Sequence, residues 1–316
     1  MKKVIVIDFL NKGNSHANFN NSFLQSISNS SVTFVGNQSH VKNLKAEGVK
    51  YKSVKESSKF WQVQIFLIFL VGCLNFKTKN VVFVCSDNYF VPCLITLFFP
   101  FFIGKKVTMV LHNNVTSLVK SSKKRIPLKI VTKLFSLNMV CLTLEGQKCM
   151  QEIGFRNTVF IPHMNFSHID IPSKAVDIDF PENKTNIVFV GRQAKFFVER
   201  IMPLLTFDNL SHLNFIILYK NPIPTDSGVI TQVKDWVNDH QLNFILKTTD
   251  FSFFHNYEVQ HRPSGVLLDC ITHSCPIIAP KSGHFNEYSD AEIGFFYSNI
   301  EELIVLFKKL NDDRIK

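Results

Sequence analysis

The sequence predicts an α/β protein made of two doubly wound, Rossmann-like domains facing a central cleft. Three observations carry that expectation. The chain has 316 residues, short apolar runs alternate with helical stretches in both halves, and a polar, proline-bearing segment separates the halves. At about 150 residues per domain this length suits two domains, each large enough to bury a core. With 46% hydrophobic residues, 19% charged residues and 32 Phe, the chain is globular and not disordered.

The apolar run 4–9 suits a buried parallel strand, 11–15 a polar loop and 18–27 a helix. Further strands are expected at 32–35, 81–85, 107–111, 139–142 and 159–161, with helical stretches between them, which is the doubly wound pattern. Residues 171–184 (IPSKAVDIDFPENK) hold two prolines and mixed charge without a period and read as a linker. The first domain is therefore set at 1–172, the linker at 173–185 and the second domain at 186–316. There the expected order is strand 186–191, helix 196–205, strand 214–219, helix 230–239, strand 243–246, helix 265–272, strand 276–279 and a closing helix 301–310. Ligands of such sheets bind at the carboxyl ends of the strands.

The opening MKKVIVIDFL is interrupted by Asp8 too early for a secretory signal, so the chain is expected to begin here. The longest apolar run, 65–74, is about half of the roughly twenty residues that a spanning helix needs. Seven cysteines, with Cys73, Cys85, Cys93, Cys141 and Cys149 inside apolar segments, read as reduced thiols of a cytoplasmic protein. Cys270, His273 and Cys275 lack a second ligand pair at a familiar spacing, and no metal is expected.

Net charge is +10, unevenly spread: residues 1–172 hold 21 Lys and Arg against 7 Asp and Glu, whereas 173–316 hold 14 against 18. The basic half points to an anionic partner, a membrane surface or nucleic acid. The segment 119–135, VKSSKKRIPLKIVTKLF, sets six cations beside Ile126, Leu128, Ile130, Val131 and Leu134. That pattern suits an anionic leaflet. Residues 98–102 (FFPFF) are assigned to the core before a docking surface. No nucleic-acid-binding module accompanies the charge, so no nucleic acid is expected.

Three loops follow expected strands. After the first, Asn14, Ser15 and His16 lead into a helix, where backbone N–H groups can meet an acceptor or a phosphate; a plain capped loop is the alternative, and no GxGxxG is present. After the strand 107–111 come His112 and Asn113, followed by Asn114, polar groups that need partners if buried. His112 is the candidate general base or acceptor-hydroxyl ligand, a capping role being the alternative. After 186–189 come Gly191, Arg192 and Lys195: glycine for close backbone approach, Arg as a fork for phosphate oxygens, and a helix terminus. Ser264 and Gly265 open another helix, a second place for phosphate, with Asp269 one turn in, able to accept from a ribose diol. Simple helix-end placement is the alternative for Asp269.

In this order the chain resembles the GT-B superfamily of nucleotide-sugar glycosyltransferases, especially the bacterial surface-polysaccharide group. The residues that carry the resemblance are Phe189-Val190-Gly191-Arg192, the run SGVLLDCITHSCPIIAPKSGHFNE (264–287) and FIPHMNF (160–166). The resemblance implies transfer of a sugar from a nucleoside-diphosphate sugar, UDP among the candidate nucleotides, to a saccharide or lipid-linked acceptor, without metal or cofactor. It implies a cytoplasmic protein peripheral on the inner face of the plasma membrane. The donor would be bound by Gly191, Arg192, Lys195, Ser264, Gly265 and Asp269, and the acceptor by Asn14, Ser15 and Asn113, with His112 or His16 assisting proton removal. Two departures stand out. Many retaining members carry two glutamates eight positions apart, where this chain has His261 and Asp269. The family lysine commonly lies five positions beyond the Arg, whereas Lys195 lies three beyond Arg192. A catalytically silent sugar-nucleotide-binding subunit and a nucleotide-sugar 2-epimerase are the alternatives.

Overall fold

The computed structural model describes residues 2–13, 16–56, 60–73, 78–85, 90–112, 114–163, 178–223, 228–235, 237–255, 261 and 263–310. The chain divides into two compact units, Met1–Phe166 with His261–Pro263, and Ser167–Gln260 with Ser264–Lys316.

The first unit is built on β1 (Lys3–Asp8), β2 (Ser31–Asn37), β3 (Lys50–Val54), β4 (Asn80–Cys85), β5 (Lys106–Leu111), β6 (Leu137–Cys141) and β7 (Thr158–Phe160). They form one sheet in the order β3-β2-β1-β4-β5-β6-β7, every neighbouring pair parallel. Its helices are α1 (Ala17–Ser26), α2 (Gln38–Val41), α3 (Trp61–Cys73), α4 (Phe90–Leu97), α5 (Asn114–Lys120), α6 (Ser122–Leu134) and α7 (Leu144–Glu152). Successive side chains of a strand point to opposite faces, so Ile5 and Ile7 enter one buried cluster and Val6 another. Both faces of the sheet are therefore covered, which is why its strands read as continuous apolar runs.

The second unit holds β8 (Thr185–Phe189), β9 (Leu213–Leu218), β10 (Ile230–Val233), β11 (Phe251–Phe253), β12 (Ile277–Pro280) and β13 (Gly294–Tyr297). Their order is β10-β9-β8-β11-β12-β13, again all parallel. The helices are α8 (Arg192–Phe196), α9 (Asp239–Thr248), α10 (Gly265–Thr272) and α11 (Ile300–Lys309). Ile187 and Phe189 pack into one face cluster and Val188 into the other. In both sheets the strand order reverses direction at one place, between β1 and β4 and between β8 and β11. At such a switch point the loops on either side diverge and leave room for a ligand.

The expected alternation is present, with three corrections in the second unit. The helix expected at 230–239 begins as strand β10, because Val229, Ile230, Thr231 and Val233 are β-branched and prefer the pleated conformation. The strand expected at 243–246 is helix α9, started by a capping box in which Asn238 accepts from Gln241 N–H and the Gln241 side chain accepts from Asn238 N–H. The helix expected at 196–205 starts earlier, at Arg192, and runs through a π turn at Phe197–Ile201 into a 3-10 turn at Met202–Leu204. Strands β3, β11 and β13 were not expected; β3 is an exposed edge strand without an apolar run.

The basic segment 119–135 spans the end of α5 and all of α6. Arg125 donates from Nε to the Leu118 carbonyl and from Nη2 to that of Val119, each at 2.6 Å, so its charge caps the end of α5. In α6 Leu128 and Val131 are buried, while Ile126, Ile130 and Leu134 are exposed at one helical spacing. Of the phenylalanines at 98–102, Phe102 is fully buried and Phe99 is 40% exposed. Among the described residues no helix is long and apolar enough to cross a membrane.

Candidate functional site

In the first unit the loop after β1 is fixed from within. Asp8 is fully buried, and its carboxylate accepts from the N–H groups of Leu10 and Asn11 and from the amides of Asn11 and Asn20. Asn20 also lies 2.7 Å from Nε2 of the buried His40, whose Nδ1 is 3.0 Å from the Gly13 carbonyl. The consistent proton placement puts hydrogen on Nδ1 and leaves Nε2 to accept. A buried carboxylate without such partners would cost several kcal/mol, so this network dictates the course of residues 8–13.

That loop delivers His16, which caps α1 with a left-handed backbone, φ 55°. His112 follows β5 directly and is 3% exposed. The two rings meet edge to face at 5.0 Å, so the histidines singled out in the sequence are brought together. A third, His163, follows β7 and lies 5.8 Å from His112. Phe19 of α1 packs on His112 at 4.6 Å and on His163 at 4.8 Å. Ligand nitrogens of the three imidazoles all lie within 4.8 Å of one another. His163 had been read only as part of FIPHMNF. Asn14, Ser15 and Asn113 lie outside the described residues.

The second unit presents its candidates at the β8/β11 switch point. Strand β8 ends at Phe189, and Gly191 turns the chain with φ 60° and ψ −120°, a conformation that residues with a Cβ disfavour. Arg192 then opens α8, exposed. Lys195 is also exposed and pairs with Glu199 at 3.7 Å. The loop after β11 is tied to this turn, because the His255 N–H donates to Gln193 Oε1 at 2.7 Å. The His255 ring stacks on Phe196 and its Nδ1 meets the Tyr297 hydroxyl at 3.0 Å, while that hydroxyl donates to the Phe254 carbonyl. Burial lowers the His255 pKa to about 4, so the ring is a neutral donor through Nδ1 at physiological pH. His255 had carried no signal in the sequence.

Helix α10 starts at Gly265, with Ser264 as its cap: the Ser264 hydroxyl accepts from Leu267 N–H at 3.3 Å. Its first turn holds no acidic residue. Asp269 is the fifth residue and half-buried, so it lies inside the helix, past its first turn. A cavity of about 610 Å³ in this unit lies elsewhere, lined by Thr185, Phe251, Pro276 and Gly294 at the amino ends of the strands, the edge opposite to the switch-point loops.

His261 belongs to the first unit, although Asp269, eight residues on, belongs to the second. Its carbonyl accepts from Thr143 Oγ1 at 3.3 Å, and its ring lies against Cys149 of α7. Burial lowers the His261 pKa, with a smaller opposing effect from Glu145. Burial also pushes the Cys149 thiol up to about 11, helped by Glu145 and Glu152.

Two parallel α/β sheets with these strand orders and a switch point each define the GT-B class of fold, and solved structures agree. HepE of Anabaena, crystallised with UDP and glucose, superposes with a TM-score of 0.67 at 11% identity over 99% of this chain and 91% of that one. WaaG, a glycosyltransferase involved in lipopolysaccharide biosynthesis, matches with a TM-score of 0.58 at 12% identity over 99% and 91% of the two chains. A Listeria monocytogenes protein described as a UDP-N-acetylglucosamine 2-epimerase matches with a TM-score of 0.54 at 11% identity over 99% and 89%. At such identities the likeness is one of fold. No protein-family profile matches the sequence, and no curated protein matches it.

Proposed function

We propose that this chain is a metal-independent glycosyltransferase that moves a sugar from a nucleoside-diphosphate sugar, UDP-linked by preference, to a lipid-linked saccharide in bacterial surface-polysaccharide biosynthesis. The observation that carries the reading is the β8/β11 switch point, where Gly191 and Arg192 open α8 beside a loop pinned through Gln193 and His255. A diphosphate there would meet the Arg192 guanidinium at a helix start, an arrangement suited to neutralising a departing nucleotide. The neighbours support it: HepE was crystallised with UDP and glucose, and WaaG is a glycosyltransferase.

In this reading Gly191, Arg192 and Lys195 hold the diphosphate, Ser264 and Gly265 offer the end of α10, and Asp269 takes the ribose. His112, with His16 beside it, accepts the proton of the attacking hydroxyl, and Asn14, Ser15 and Asn113 line the acceptor. The exposed Ile126, Ile130 and Leu134, among the lysines of α6, rest the protein on the anionic inner face of the plasma membrane. One observation favours the silent-subunit reading instead: His261, which stands where the resembled family has its sugar-contacting glutamate, is engaged by α7 of the first unit.

The test is thermal stability with UDP, GDP, CDP and dTDP, for the wild type and for Arg192→Ala and Asp269→Ala. A nucleotide at a hundred times its Kd stabilises by about 2.7 kcal/mol. One nucleotide should raise the Tm, and both substitutions should abolish the gain. No response at millimolar nucleotide would overturn the donor site. Sugar nucleotide turned over without any acceptor would give an epimerase, and binding without turnover a silent subunit.

A further inference from the structure

The first unit holds a group of ligands that the nucleotide-sugar reading does not use. Glu145 and Cys149 stand one turn apart on α7 and so share a face. His261, 112 residues along the chain from Cys149, completes the group. Cys149 Sγ lies 3.8 Å from Glu145 Oε1, 3.7 Å from His261 Nδ1 and 3.9 Å from Nε2. A tetrahedral ion at about 2.3 Å from sulfur and about 2.0–2.2 Å from nitrogen and oxygen sets its ligands about 3.6 Å apart. The contacts of Cys149 with its two partners are already close to that spacing, and the ligand atoms of all three residues lie within 4.8 Å of one another.

The surroundings hold the group in place. Thr143 caps α7 by accepting from Gly146 N–H, and its hydroxyl donates to the His261 carbonyl. Gly146 makes this approach possible, because a Cβ there would come within 2.7 Å of Thr143 Oγ1 and 3.6 Å of the His261 carbonyl. The one residue of the trio that is distant in sequence is therefore anchored through its backbone, which leaves its ring for a ligand.

We propose that Glu145, Cys149 and His261 bind a divalent zinc-class cation that fixes His261 on α7. One thiolate and one carboxylate balance the charge of the ion, and sulfur with imidazole selects zinc over magnesium or calcium. On binding, the Cys149 S–H bond breaks, a sulfur–metal bond forms and the proton passes to the buffer, with no change of oxidation state. Three protein ligands leave the fourth position to water, and none of the three is a donor residue, so the proposal does not depend on the nucleotide-sugar reading.

Chelator-treated full-length protein titrated with Co(II) tests it. The expected result is one Co(II) per chain with a thiolate-to-cobalt charge-transfer band that disappears in Cys149→Ser and persists in His163→Gln. Zn(II) competition against a chromophoric chelator should show affinity at least about tenfold weaker in Glu145→Gln and His261→Asn, with circular dichroism confirming that each is folded. These two variants keep the thiol and serve if Cys149→Ser does not fold. No charge-transfer band, a band that survives Cys149→Ser, or Zn(II) affinity unchanged in both folded ligand variants would overturn the proposal.

Discussion

The two switch points solve the same geometric problem with opposite economies. In the first unit the loop after β1 is organised by a buried carboxylate and delivers a histidine to two others packed on Phe19. In the second, the turn after β8 exposes its cations, and the half-buried Gln193 with the buried His255 and Tyr297 stands behind them. One end is preorganised by polar groups withdrawn from water, the other leaves its charge in water. Substitutions at the first should register as stability, and substitutions at the second as ligand response.

The largest expected effect is at Asp8. Asp8→Ala leaves two backbone N–H groups and two amides without their acceptor in a buried site, and should cost about 3–5 kcal/mol in urea unfolding. Arg192→Ala, exposed, should stay within about 0.5 kcal/mol. Equal losses at the two positions would break the comparison.

Acid comes next. Burial holds the pKa of His255 and of His284 at about 4, against an ordinary value of 6.5. Between those values the unfolded chain binds protons that the folded chain does not, so this stabilisation is complete above pH 6.5 and is lost as pH falls toward 4. Each histidine contributes on the order of 3 kcal/mol. Hydrogen exchange at pH 5 should show β8, β11 and β12 losing protection ahead of β1 and β5, and His284→Gln should reduce the difference. The reverse order would count against burial as the source of the acid sensitivity.

A smaller loss than these is expected at Gly191. No atom lies within 4 Å of a Cβ built there, so only the positive φ resists substitution. Gly191→Ala should cost about 1–2 kcal/mol, sharpening the contrast with Asp8, where buried polar groups and not backbone strain set the cost.

Much of this frame was legible in the sequence because strands buried on both faces announce themselves: β1, β5 and β8 are apolar runs ending at Asp8, Leu111 and Phe189. The candidate residues that follow them, His16, His112, Gly191 and Arg192, were legible for the same reason. Short β11 and β13 were hidden among phenylalanines common throughout the chain. The exchange of strand and helix at β10 and α9 arose because apolar content outweighed β-branching in one place and the capping pair Asn238 and Gln241 in the other. His163 and His261 were beyond local reading. Their roles depend on strand order and on a meeting of residues more than a hundred apart, which periodicity does not encode.

The π turn at Phe197–Ile201 bears on the direction in which Arg192 points. Such a turn closes i→i+5 hydrogen bonds and accommodates about one residue more than an α-helical turn. Phe197 and Ile201 are locked into the core, so the extra residue is taken up by the segment before them. Deleting one residue there would rewind the turn and rotate α8 by about 100°. Phe196 would leave the His255 ring, and Arg192 would leave the end of β8. The bearing of the arginine therefore depends on the π turn, and the length of this short helix is as much a part of the candidate site as its charge.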